Sequence, residues 1–208
     1  MDRPPSPPAG GLRARGPAAL LLGVLLAALI ALIELGVLEF TYERLGIGHR
    51  LFGGLLLLSL VGSVVNVPVT AVGAPPQQTI LAVNLGGAVV PTLLALYLLL
   101  EHRLLLQGAI AVGVVATVSF LLARPVPGVG IAVPVLLPPV AAAVTALALA
   151  PDAAPALAYA AGSLGTLVGA DLGHLGRIRD LRSPMVSIGG AGTFDGIFLT
   201  GIFAVLLA

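Results

Sequence analysis

The chain has 208 residues, 58% of them apolar and 9% charged, with a net charge of +1 and a mean hydropathy of +1.11. A soluble domain carries about 25% charged residues, so this composition cannot solvate a globular surface and predicts a polytopic membrane protein with the lipid bilayer as its partner. The absence of Cys excludes disulfides and thiolate metal sites, and without a basic patch interleaved with aromatics nothing points to nucleic acid.

Residues 1–16 are Pro-rich and carry Arg3, Arg13 and Arg15, the composition of a disordered cytoplasmic tail. An apolar run follows from Pro17 to Ile33 and closes on Glu34. It is longer than a signal-peptide core and lacks a small-residue cleavage site, so it is expected to be a retained first span over 17–37. Glu39, Glu43 and Arg44 then mark an interfacial stretch.

A second segment, 51–72, meets Asn66-Val-Pro68. Proline removes a backbone hydrogen bond and disfavours helix in the residue before it. The expectation is a kinked or broken span, with Asn66 either capping the break or lining a cavity. The third segment, 77–100, carries Asn84-Leu-Gly-Gly87 and Pro91. A buried Asn in hydrocarbon needs a partner on a neighbouring segment, and the broken second segment is the natural one.

Segment four, 104–123, has small residues and no ionisable group and reads as packing. Segment five, 130–150, contains Pro134, Pro138 and Pro139, so a regular helix is not expected along its first half. Segment six, 153–172, is rich in small residues and ends at Asp171. Segment seven begins at or after Ser187 and runs to Ala208. The expected fold is therefore an all-α transmembrane bundle of about seven spans, some broken or kinked at proline, filling 17–208 as one domain. With the N-terminus inside, seven arginines fall on cytoplasmic segments and three on the other side, the bias of an N-in, multi-pass inner-membrane protein. Two short stretches look alike in pairs, Asn66-Val-Pro-Val69 with Ala132-Val-Pro-Val135, and Asn84-Leu-Gly-Gly87 with Ser187-Ile-Gly-Gly190. Inverted repeats with broken helices mark transporters.

The chemistry concentrates in Asp171 and Asp195. Carboxylates beside membrane spans are costly and therefore functional candidates. If segment seven were helical from Ser187, Asp195 would lie about 12 Å along it and miss Asp171. If Ile188 to Thr193 were extended or looped, Asp195 would occupy the first turn, where the helix dipole favours it, and the two carboxyls could face one another. Such a pair cannot ionise fully in a low dielectric. One member keeps its proton, and together they act as acid and base on a carbonyl and a water. Asp171 and Asp195 are the candidate catalytic residues. Asn66, Asn84, His174, Gly190 and Gly192 are candidate binding residues around them. No metal or cofactor is implied, since His and Cys are too few for zinc. The competing readings are a proton- or ion-coupled transporter using the same polar groups, with a small solute as cargo, and a structural protein in which both aspartates cap helices or pair with Arg177, Arg179 and Arg182.

Asn66-Val-Pro68, Asn84-Leu-Gly-Gly-Ala88 with Pro91, Val168-Gly-Ala-Asp171, and Ile188 through Gly201 together resemble an integral-membrane family of archaea and bacteria known only as a domain of unknown function. The resemblance covers about 50–208 and implies membrane location without an activity. Gly192-Thr-Phe-Asp195 followed by an apolar helix is also similar to the second catalytic motif of the presenilin and signal-peptide-peptidase type of intramembrane aspartyl proteases. That similarity implies a transmembrane peptide as substrate and Asp171 as the first aspartate. Phe194 stands where that motif has glycine, Pro155-Ala-Leu157 precedes both aspartates instead of following them, and the aspartates are 24 residues apart.

Overall fold

The computed structural model describes residues 31, 35–73, 78–127, 130–181, 183–190 and 195–208. The tail 1–16, nearly all of the first expected span and Gly192 lie outside the described residues. The chain divides into two compact units, Met1–Leu38 and Glu39–Ala208, and the second carries the end of α1 and every element after it.

Helix α1 occupies 35–44 and α2 runs His49–Gly62. The chain does not continue as a kinked helix at Asn66-Val-Pro68. It becomes a strand, β1, Asn66–Val72, paired antiparallel with β2, Thr79–Asn84. Val67, Val69, Thr70 and Val72 are β-branched and favour extended backbone. Pro68 cannot donate to a ladder, and it sits on an edge strand beside a register shift between Pro68 and Thr70. The third strand is remote in sequence. Strand β5, Met185–Ile188, pairs parallel with β2, giving the order β1-β2-β5. A small hairpin, β3 Arg124–Val126 and β4 Gly130–Ala132, is separate. The fold is thus mostly helical with short strands, and the all-α expectation is corrected. Segments two, three and seven spend part of their length as strand because each finds a partner strand for its backbone groups.

After β2 a wide π-type turn, Leu85–Val89, leads into α3, Val90–Glu101, with Pro91 in its first turn. Helix α4 is Leu105–Leu122. Helix α5 is Leu137–Leu149 and begins at Leu137 because Pro138 and Pro139 are tolerated in a first turn. The non-helical part of segment five lies before them, at 133–136. Helix α6, Ala154–Thr166, is the hub: nearly all of it is buried, against α3, α4, α5 and α7, Gly196–Leu207. Below α6 the chain widens into a second π-type turn, Leu167–Asp171, then tightens into a 3-10 helix, Leu172–Leu181.

Close packing onto α6 depends on missing side chains. A Cβ at Gly165 would lie 2.5 Å from Val115 Cβ, and one at Gly162 would lie 2.9 Å from the Thr200 carbonyl oxygen. Under the sheet, Leu81 and Ile188 pack on Ala88, Ile178 and Ile197. Outward, by contrast, Leu57, Val61 and Val64 near α2, Leu106 and Leu121 on α4, and Val144 on α5 are exposed.

Among the described residues, two stretches are long and apolar enough to cross a membrane, Leu105–Leu122 and Pro151–Ile178. The other apolar helices are shorter, 10–17 residues.

Candidate functional site

Asp171 closes the π-type turn below α6, and Asp195 is the N-cap of α7. The helix starts at Gly196 rather than at Ser187, because β5 is extended to Ile188 and Gly189 then turns the chain at a φ of +71°. Asp195 has extended backbone, φ −74° and ψ 150°, and its Oδ1 accepts the Ile197 N–H at 2.9 Å. Asp171 is held close enough to feel the charge of Asp195. Both residues border the same two cavities.

The larger cavity, about 440 Å³, is lined by Asp171, Asp195, Asn66, His174, Gly190 and β5. Met185, Val186, Ser187 and Ile188 all border it in succession. Side chains alternate between faces along a strand, so a cavity that meets every residue runs along the strand's edge. Strand β5 is the outer strand of its sheet. Ile80 N–H donates to the Pro184 carbonyl at 2.9 Å, which in a parallel ladder turns 184, 186 and 188 toward β2 and leaves the Met185 and Ser187 N–H groups directed to the outer edge. The carbonyls on that edge are engaged locally, Met185 by the Ser183 hydroxyl at 2.7 Å and Ser187 by Gly190 N–H at 3.0 Å.

The smaller cavity, about 190 Å³, lies against Thr166, Ala170, Leu199, Thr200 and 133–135, and shares only Ile131, Asp171, Asp195 and Gly196 with the larger. The aspartate pair therefore stands between two spaces.

His174 is buried. Its Nδ1 lies 3.0 Å from the Ala170 carbonyl oxygen, which can only accept, so Nδ1 carries the hydrogen there. The ring stacks obliquely on Phe120, centroids 4.9 Å apart. Among the described residues no three His, Asp or Glu side chains gather as a metal site.

Asn84 is wholly buried, and it ties the sheet to the helices. Its Nδ2 donates to the Ser63 carbonyl at 2.7 Å and to Asn66 Oδ1 at 3.1 Å, while its Oδ1 accepts Gly87 N–H at 2.8 Å. Ser187 Oγ also donates to Asn66 Oδ1. Asn66 thus joins β1 to β5 across β2 and reaches the cleft wall, while Asn84 caps the π-type turn behind it.

Of the residues singled out from sequence, Asp171, Asp195, Asn66, His174 and Gly190 come together at one cleft, Asn84 stands behind it, and Gly192 lies outside the described residues. The cleft also uses Ser187, and the smaller cavity Thr166, neither of which carries chemistry at sequence level. The one hint to Ser187 is the likeness of Ser187-Ile-Gly-Gly190 to Asn84-Leu-Gly-Gly87. The strands leading into those two stretches are parallel neighbours, with Val83 opposite Ile188. Gly189 packs on the second Gly-Gly pair: a Cβ there would lie 2.5 Å from Ala88 N and 2.6 Å from Gly87 C. The other likeness is not structural, since Asn66–Val69 is strand and 133–135 is not.

The molecule is a predominantly helical protein with two membrane-length apolar helices and an aspartate pair between its hub helix and the strand-to-helix turn beside it. It belongs to the family described as "Protein of unknown function (DUF1614)", whose model matches residues 29–207. No curated protein and no solved structure matches the chain.

Proposed function

We propose that this is a multi-pass membrane protein, N-terminus cytoplasmic, whose Asp171 and Asp195 hydrolyse a peptide bond in a membrane-embedded segment. The observation that carries this is that both carboxylates line a cleft also bordered by β5, a strand whose outer edge has no partner strand among the described residues. Membrane embedding is supported by the exposed apolar side chains and the two membrane-length helices. The shorter helices reach across as composites. A strand rises about 3.3 Å per residue and a helix 1.5 Å, so the path through β2, the π-type turn and α3 has a contour length of about 45 Å, against a hydrocarbon core of about 30 Å.

A peptide bond in a helix is shielded by its own hydrogen bonds. The edge of β5 offers donors from Met185 and Ser187 to a substrate in extended form, the strand-addition mode of peptide binding. The substrate's carbonyl then lies by the aspartates. The pair shares one proton. The protonated carboxyl donates to the carbonyl oxygen while the other removes a proton from water, whose oxygen bonds to the carbonyl carbon. Collapse of the tetrahedral species breaks the C–N bond, and the proton goes to the leaving amine.

The test is cleavage of a panel of transmembrane peptides by the full chain in nanodiscs. Asp171→Asn and Asp195→Asn should each abolish it with the fold intact, and cleavage that survives both changes sinks the proposal. One observation favours a second reading: cavities on both sides of a carboxylate pair also suit a proton-coupled carrier. That reading predicts pH-driven solute flux in liposomes, removed by Asp195→Asn, with no peptide cleaved.

A further inference from the structure

Helical hydroxyls in a bilayer ordinarily bond to the carbonyl one turn back. Thr117 and Thr145 do so, to Gly113 and Ala141 carbonyls at 2.8 and 2.7 Å. Thr166 does not. It is 2% exposed, and its Oγ1 has no hydrogen-bond partner among the described residues. A buried hydroxyl left unsatisfied costs about 1–3 kcal/mol, so the position needs an explanation. Thr166 borders the smaller cavity together with Asp171, Asp195 and Thr200. A water molecule occupies about 30 Å³ of liquid and needs two to four polar partners. This cavity has room for several and supplies four polar side chains.

We propose that the smaller cavity is a water site, and that Thr166 positions the water that attacks the substrate. Its role in attack rests on the peptidase reading; its occupancy does not. Hydrolysis consumes one water per bond, and a peptide lying along β5 displaces solvent from the larger cleft. The smaller cavity meets the same carboxylates from another side. Water held there stays beside the base while the peptide is bound. Thr166 is a positioning residue: it touches the water, and the aspartates perform the proton transfers.

The experiment uses the full chain in nanodiscs with ¹³C-labelled alanine methyls. Ala170 borders the cavity and is 2% exposed, while Ala161 on the same helix is fully buried and does not border it. Ala170 should show a methyl-to-water cross-peak, Ala161 none, and Thr166→Val should weaken the Ala170 peak several-fold. Valine matches threonine in shape, so folding is preserved, and a thermal melt checks it. Absence of the peak in the wild type overturns the water site, and a peak unchanged in Thr166→Val overturns the role of Thr166. In the cleavage assay, Thr166→Val should lower kcat about 10-fold with KM unchanged; a change in KM alone would assign Thr166 to peptide binding instead. If the wild type cleaves nothing, the peptidase reading fails, and the methyl measurement still decides the water site.

Discussion

Asp195 has two jobs that substitution can separate. It caps α7 through one bond, Oδ1 to Ile197 N–H at 2.9 Å, and it carries a charge beside Asp171. Alanine removes both, and loss of an N-cap costs about 1 kcal/mol. Asparagine keeps the acceptor oxygen and removes the charge. It forfeits the dipole attraction, about 0.3–1 kcal/mol. Asp195→Asn should therefore match the wild type within about 1 kcal/mol. Asp195→Ala should fall about 1 kcal/mol below Asp195→Asn, or about 2–4 °C in a domain of this size. Thermal unfolding in nanodiscs measures the gap, and the peptide assay runs on the same samples. Both variants should be inactive. Equal melting of Asn and Ala variants would refute the cap, and activity in a well-folded Asn variant would refute acid–base chemistry at this position.

Because the chain has no cysteine, Asp171→Cys with Asp195→Cys gives a clean crosslinking test. A disulfide needs Cα atoms about 4.4–6.8 Å apart, and efficient oxidation in the membrane is expected; failure to bridge would dissolve the pair as a shared site. Asn84→Ala should destabilise by about 2–4 kcal/mol, since it leaves the Ser63 carbonyl and Gly87 N–H buried without their partner. Asn84→Asp keeps the Gly87 bond but buries a carboxylate oxygen against two acceptors, the Ser63 carbonyl and Asn66 Oδ1, and should destabilise at least as much; a loss under about 0.5 kcal/mol for Ala would mean the network is not holding the sheet. Gly189→Ala forces a Cβ to 2.5 Å from Ala88 N at a φ of +71°. It should cost activity by shifting β5 away from the aspartates, and normal turnover would show that the turn tolerates displacement.

The sequence foretold where regular helix stops better than what replaces it. A break in segment two at Asn66-Val-Pro68 is expected, and there the chain does leave helix, α2 ending at Gly62 and β1 starting at Asn66, but helix is the expected continuation because an unpaired strand is prohibitive in hydrocarbon. The partner that makes β2 the centre of a sheet is β5, about a hundred residues downstream, and nothing local announces it. Pro138 and Pro139 were read as breaks when they sit in the one turn that accepts proline. The glycines after Ile188 did foretell a late helix start, and hence the place of Asp195. The hydroxyl of Thr166 was illegible, since only the tertiary packing denies it a carbonyl.

The parallel pairing of β2 with β5 also orders assembly. A parallel partner cannot come from a hairpin. β2 must wait until α3, α4, α5 and α6 have been placed before its second edge is covered, and the closure spans about a hundred residues of loop, an entropic cost settled only by long-range contact. The same step brings in Asp195. A chain interrupted before β5 lacks the strand edge, Asp195 and α7, which packs on the hub helix. On the peptidase reading, the second carboxylate and the strand edge are therefore brought to Asp171 together, by the last segment of the chain.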